Sequence, residues 1–154
     1  KQYYSELSSG KKKAALLNLL TEKNYRRALV FAGTKAMADT LAKELRQKGY
    51  RAAALHGDMK QSQRDKVMRS YRSEQISILV ATDVASRGID VDHVDMVINF
   101  DIPQDTTAYT HRIGRTGRAK QKGQAYTLVY GKERRTIQMI AREMKSIKKI
   151  AIAV

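Results

Sequence analysis

Apolar residues recur along the chain in two alternating patterns. Continuous runs at Ala28-Leu29-Val30-Phe31, Ile76 to Ala81 and Met96 to Phe100 have the character of strands buried on both faces. Between them lie stretches with helical spacing. Lys11 to Lys23 carries a stripe of Ala14, Leu17 and Leu20, with Leu16 beside it. Thr34 is placed to cap a helix over Lys35 to Lys48, which Gly49 stops. Ala52 to Leu55 and Ala125 to Tyr130 read as strands, and Gln61 to Arg72, Thr106 to Ile113 and Glu133 to Lys145 as helices. Gln2 to Leu7 is expected to be an edge strand, with Ile147 to Ile150 a last edge strand.

Strand and helix alternating in this rhythm mean βαβ units, hence an α/β fold with an open parallel sheet and helices on both faces. At 154 residues, with one proline and no internal repeat, residues 1–154 form a single domain. Ligands of such sheets gather where loops leave the carboxyl ends of the strands. That singles out Ala32–Lys35, His56–Asp58, Thr82–Asp90, Asp101–Gln104 and the Thr110–Arg118 segment.

Charge narrows the choice of partner. Thirty Lys and Arg against fifteen Asp and Glu give a formal charge of +15, which suits a polyanion and above all nucleic acid. It does not separate RNA from DNA, because phosphate contacts carry no sugar or sequence information. The absence of cysteine excludes disulfides and thiolate metal sites and fits a cytoplasmic protein. No apolar run has the length of a membrane span. A chain that opens at Lys1 without Met and closes on apolar Ile150 to Val154 reads as a piece of something longer.

Four segments carry chemistry. His111-Arg112-Ile113-Gly114-Arg115-Thr116-Gly117-Arg118 is too rich in arginine for a core element. Arg115 and Arg118, three apart, would face the same way on a helical turn, and converging guanidiniums suit a phosphate chain. The plainer alternative is a basic loop for any anion. Ala81-Thr82-Asp83-Val84-Ala85-Ser86-Arg87-Gly88-Ile89-Asp90 follows a buried strand. Thr82 and Asp83 stand where a phosphate contact or a cap belongs, Gly88 admits close backbone approach, and Asp90 can accept from a ribose or pair with an arginine. Gln61 and Arg64 share a face at a helix start, after His56-Gly57-Asp58. Finally, Gly33-Thr34-Lys35 ends a strand but lacks the spacing of a P-loop.

Taken in order, LVFAGTK, HGDMKQSQR, ILVATDVASRGIDV, VINFDIP and YTHRIGRTGRAKQKG resemble the carboxyl-terminal, second RecA-like lobe of DEAD-box RNA helicases. The resemblance implies a RecA-like open parallel sheet and an ATP-dependent RNA helicase whose ATP-gripping first lobe lies outside this chain. It implies that Arg115 and Arg118 act as arginine fingers on the γ-phosphate, and that Asp90 binds the ribose with the Gly88 backbone close to the nucleotide. RNA-backbone contacts would come from Thr34, Gly57, Arg64 and Thr82, with Gln61 supporting Arg64. His111 and Arg112 would help join the lobes and couple ATP to RNA, with Asp83 and Arg87 organising the loop between them. ATP would arrive with Mg²⁺ held by the first lobe, so this chain alone, expected to be monomeric, would be inactive. Its partners would be single-stranded or locally duplexed RNA and that first lobe.

Two other classes stay open from the residues alone. One is an RNA-binding or RNA-chaperone module whose arginine loop never meets ATP. The other is a protein-interaction lobe, for which the basic stretch Lys132 to Lys149 is the natural docking face.

Overall fold

The structure, a computed structural model, describes residues 1–87, 94–114 and 123–154. In chain order the elements are β1 (Gln2–Leu7), α1 (Lys12–Glu22), β2 (Ala28–Phe31), α2 (Lys35–Gln47), β3 (Ala52–Leu55), α3 (Gln61–Arg72) and β4 (Ile78–Ala81). There follow α4 (Asp83–Ser86), β5 (Met96–Asn99), α5 (Thr106–Ile113), β6 (Gln124–Tyr130), α6 (Glu133–Met144) and β7 (Ile147–Lys149). The seven strands form one sheet in the order β3-β4-β2-β5-β6-β1-β7, and each pairing is parallel.

The continuous apolar runs take the central places. Every residue of β2, β4 and β5 is buried, as strands covered on both faces require. Handedness then assigns the helices. From β1 to β2 to β3 the chain steps one way across the sheet, and from β3 onward it steps back the other way. Right-handed crossovers must therefore put α1 and α2 on one face and the later helices on the other. The packing agrees. Leu16, Leu19, Leu41 and Leu45 close over Val30, Val80 and Ile98, whereas Tyr71 and Ala85 close over Leu29, Phe31, Leu79 and Val97. The connections leaving the neighbours β2 and β5 run in opposite directions across the sheet, so the crevice opens between their carboxyl ends.

Three expectations change. Strand β1 is not at the edge: β7 pairs outside it, Gln2 facing Ile147, while its other side pairs with β6. The stripe of α1 is turned by one residue, with Ala15, Leu16, Leu19 and Leu20 buried and Leu17 only partly so. Leucines at 16, 17, 19 and 20 leave the phase of that helix open, and the sheet chooses it. Strand β4 begins at Ile78 rather than Ile76, whose amide instead donates to the Ser70 carbonyl at 3.0 Å. The stop of α2 follows the sequence reading. Gly49 takes φ +92°, its amide donates to Arg46 O and that of Tyr50 to Leu45 O, both at 3.0 Å.

Candidate functional site

The loops leaving β2, β3, β4 and β5 meet on one rim, and hydrogen bonds fix each to its neighbours. After β2, the Gly33 amide donates to Asp101 Oδ2 at 2.6 Å. A Cβ on Gly33 would stand 3.3 Å from that same oxygen, so glycine is what permits the approach. Thr34 is the N-cap of α2, its Oγ1 accepting from Met37 N at 3.1 Å. A hydroxyl both accepts and donates, and no described residue takes the proton of Thr34.

After β3, His56 is buried and bonded on both ring nitrogens, to Asp39 Oδ1 at 2.8 Å through Nε2 and from Asp58 N at 3.3 Å onto Nδ1. That pairing holds the Gly57 turn exposed on the rim. Lys35 Nζ reaches Asp58 Oδ1 at 2.8 Å, tying the β2 loop to the β3 loop. The hydrogen bond and charge of Lys35 hold the Asp58 carboxyl below the usual carboxylate range.

On α3, Arg64 is half-buried and its Nη2 donates to the Ala85 carbonyl at 3.3 Å, which joins α3 to α4. The Gln61 side chain turns to Asp65, its Nε2 donating to Asp65 Oδ1 at 2.9 Å, because an amide N–H needs an acceptor and the guanidinium of Arg64 offers none.

The centre of the rim is Arg112, only 4% exposed at the end of α5. Its fork grips Asp83, Nε to Oδ1 at 2.7 Å and Nη2 to Oδ2 at 2.8 Å. Its Nη1 donates to Asp101 O at 2.6 Å and to Asn99 Oδ1 at 3.3 Å, and the guanidinium lies 5.0 Å from the centre of the Phe31 ring. Asn99 is itself fully buried and donates to Thr127 Oγ1 at 3.0 Å. A buried guanidinium is tolerated when its donors are answered, and here four of the five N–H groups are. Arg112 therefore spends its side chain inside the lobe, binding the start of α4 to the end of α5. His111 beside it is exposed. Thr82, the N-cap of α4, is half-buried on the rim next to Asp83. Arg87 is exposed, with no partner among the described residues.

Gly88, Asp90, Arg115 and Arg118 lie outside the described residues, although Arg87 and Gly114 on their flanks are described. Asp101 opens the Asp101–Gln104 loop that the sequence singles out, with no role assigned to it, whereas Asn99 and Thr127 escaped the sequence reading. The trace of these two is one polar residue inside the runs Met96 to Phe100 and Ala125 to Tyr130. The donor set on the rim is amide, hydroxyl and guanidinium, which fits phosphate oxygens. The one carboxylate at its centre, Asp83, already accepts from Arg112 on both oxygens.

An open parallel sheet with a cationic rim at its switch point defines a RecA-like lobe of the α/β class. Residues 11–120 match the family of the helicase conserved C-terminal domain. The chain is 44% identical over 135 residues to the ATP-dependent RNA helicase DeaD of Buchnera aphidicola subsp. Baizongia pistaciae, covering 88% of this chain and 22% of that protein. It superposes with a TM-score of 0.89 on a DEAD-box protein from the hyperthermophile Methanococcus jannaschii, at 45% identity, covering 98% of this chain and 42% of that one. With Saccharomyces cerevisiae Dbp5 solved with RNA and ADP–BeF₃, the TM-score is 0.90 at 31% identity, covering 97% and 41%. The chain belongs to the DEAD-box RNA helicase family, as its C-terminal RecA-like lobe. It spans about a fifth of the length of its curated relative, 22%.

Proposed function

We propose that this chain is the second lobe of an ATP-dependent RNA helicase, working only when closed on a first lobe that grips ATP and Mg²⁺. The observation that carries the reading is the Arg112–Asp83 fork. On one side of it Asp83 adjoins Thr82, which we assign to the RNA backbone. On the other, Arg112 stands three residues before Arg115, which we assign to the γ-phosphate with Arg118. One ion pair thus ties the start of α4, beside Thr82, to the end of α5, from which the sequence runs on to Arg115.

Each described residue has a part that its surroundings support. Thr34 offers a hydroxyl proton, and Gly57 a backbone held in place through His56 and Lys35. Arg64 is aimed by one bond to Ala85 and has donors left for phosphate. Asp90 and the Gly88 backbone would take the ribose side of the nucleotide. Bound ATP supplies the phosphoryl group that water attacks. Closure of the lobes brings Arg115 and Arg118 to it, and a strand held in a shape a duplex cannot share is released from its complement.

The test uses the full-length protein. A guanidinium that meets phosphate as charge develops is worth about 10³–10⁵ in rate. Arg115→Ala and Arg115→Lys should both abolish RNA-stimulated ATP hydrolysis, while RNA affinity without nucleotide changes little. Arg64→Ala should reverse the emphasis, weakening RNA binding with hydrolysis partly recovered at saturating RNA. If Arg115→Ala keeps normal hydrolysis and loses RNA affinity, the loop is an RNA grip and the finger assignment fails.

A further inference from the structure

Helix α3 is unusual for this lobe. Of its twelve residues only Tyr71 is buried, and its outer surface carries Arg64, Lys66, Arg69 and Arg72 against the single acid Asp65. Two shallow concavities flank it. One, of about 350 Å³, is lined by Arg64, Arg69, Arg72 and Arg87, with Gln61 and Asp65 beside them. The other, of about 690 Å³, is lined by Lys66, Arg69, Arg72, Ser70, Ser73 and Gln75. Arg69 and Arg72 border both, on the ridge between them.

These cations are left over after pairing. The nearby acid Glu74 is already held by Arg26 through Nε at 3.1 Å and Nη2 at 3.2 Å. Asp65 accepts from Gln61. Among the described residues the side chains of Arg69, Arg72 and Arg87 have no hydrogen-bond or ion-pair partner. A solvated helix face normally mixes its charges so that neighbours cancel; this one does not.

We infer that Arg69 and Arg72, with Arg87 facing them, form a second phosphate track that carries bound RNA past Arg64 and away from the cleft. The inference rests on the assignment of Arg64 to the RNA backbone. Continuity supports it, since Arg64 belongs both to the rim and to the first concavity. Length supports it too. From Arg64 to Arg72 is eight helical steps, about 12 Å, enough to set two phosphate contacts side by side along one strand. The lining also favours nucleic acid over a protein. Interface cores take aromatic and apolar anchors, whereas Leu55, Met68 and Ala85 are the only apolar residues of the first concavity and no aromatic lines it. Without an aromatic platform no base is stacked, so the track reads backbone and not sequence.

The experiment compares two RNAs on the full-length protein. One is a single strand just long enough to fill the rim contacts, and the other is the same strand extended at both ends. Affinities are measured across a salt series for the unaltered protein, the double variant Arg69→Gln/Arg72→Gln, and Arg64→Ala. Two lost phosphate contacts at ~0.7 each lower the salt slope by about 1.4, which corresponds to roughly 25-fold in affinity at ~0.1 M salt relative to ~1 M. The double variant should show that loss on the extended RNA and none on the short one, while Arg64→Ala weakens both. Equal loss on both RNAs, or no loss on the extended one, overturns the track. So does retained RNA binding with lost affinity for polyglutamate, which would make the patch a protein-docking surface. Failure of Arg64→Ala to weaken the short RNA would instead sink the rim assignment on which the track depends.

Discussion

Arg112 is held by more bonds than any other side chain on the rim, which makes it the residue to test. Its partner Asp83 is 51% exposed, so the pair is not sealed from water on both sides. Breaking a fully buried pair costs about 3–5 kcal/mol, and this one should cost less because the surviving carboxylate can rehydrate. Arg112→Lys keeps the charge and loses the fork, along with the donors to Asn99 and Asp101. The expected loss is on the order of 2 kcal/mol, read from urea unfolding. In the full-length protein the same substitution should lower RNA-stimulated hydrolysis more than ATP affinity. Unchanged stability together with unchanged coupling would show the fork to be idle. The fork was not legible in the sequence because nothing in HRIGRTGR says which arginines face inward. Burial decides that, and burial depends on Phe31 and Asn99, far away along the chain.

Elements with a single pattern were read correctly, and elements with two possible patterns were not. Strands β2 and β5 announce themselves because every position is apolar or closes the run, and α2 because Thr34 and Gly49 mark both ends. Helix α4, four residues long, has no room for a period. Gln61 bonds Asp65 because its amide N–H needs an acceptor, a donor-and-acceptor choice that helical spacing alone does not weigh. Helix α3 hangs on Tyr71, whose hydroxyl donates to the Ala28 carbonyl of β2 at 2.9 Å. Burial pushes that hydroxyl well above the ordinary tyrosine value, with the positive Arg27 pulling it down and Asp95 pushing it up again. A raised folded-state pKa gives stability that is full below the unfolded value of about 10 and is lost as pH rises above it. Denaturant unfolding from pH 7 to 11 should therefore show falling stability at the alkaline end. Tyr71→Phe should cost about 1 kcal/mol at neutral pH and flatten that fall, leaving the share due to buried Tyr109, whose hydroxyl is raised likewise. An alkaline slope identical to that of the unaltered protein would remove Tyr71 from the account.

At the scale of the whole molecule, a charge of +15 on 154 residues draws polyanions to the chain before any particular contact forms. The chain alone should bind single-stranded RNA weakly, with little preference for sequence and with affinity that collapses as salt rises. It should hydrolyse no ATP, since the fingers have nothing to complete without the opposite lobe. Fluorescence anisotropy across salt and a calorimetric titration with ATP and Mg²⁺ check both. Tight, metal-dependent ATP binding by this chain alone would be incompatible with its assignment as the second lobe. Among the described residues no helix is long and apolar enough to cross a membrane.

The place of β1 in the sheet has a consequence for how the molecule comes to exist. Within this lobe, the first of the described strands to be synthesised pairs only with the two last, Gln2 lying opposite Ala125 and Ile147. Contacts that distant in sequence are slow to close, because the whole intervening chain must be gathered first. During synthesis β2, β3, β4 and β5 can assemble while β1 waits. Until Gln124 emerges, the apolar edge of β5, Met-Val-Ile-Asn, stands unpaired beside the growing chain. A bare edge of that kind is a template for pairing with another molecule. The interval between completing β5 and recruiting β1 is thus when a nascent copy of this lobe is most exposed to aggregation and to capture by chaperones.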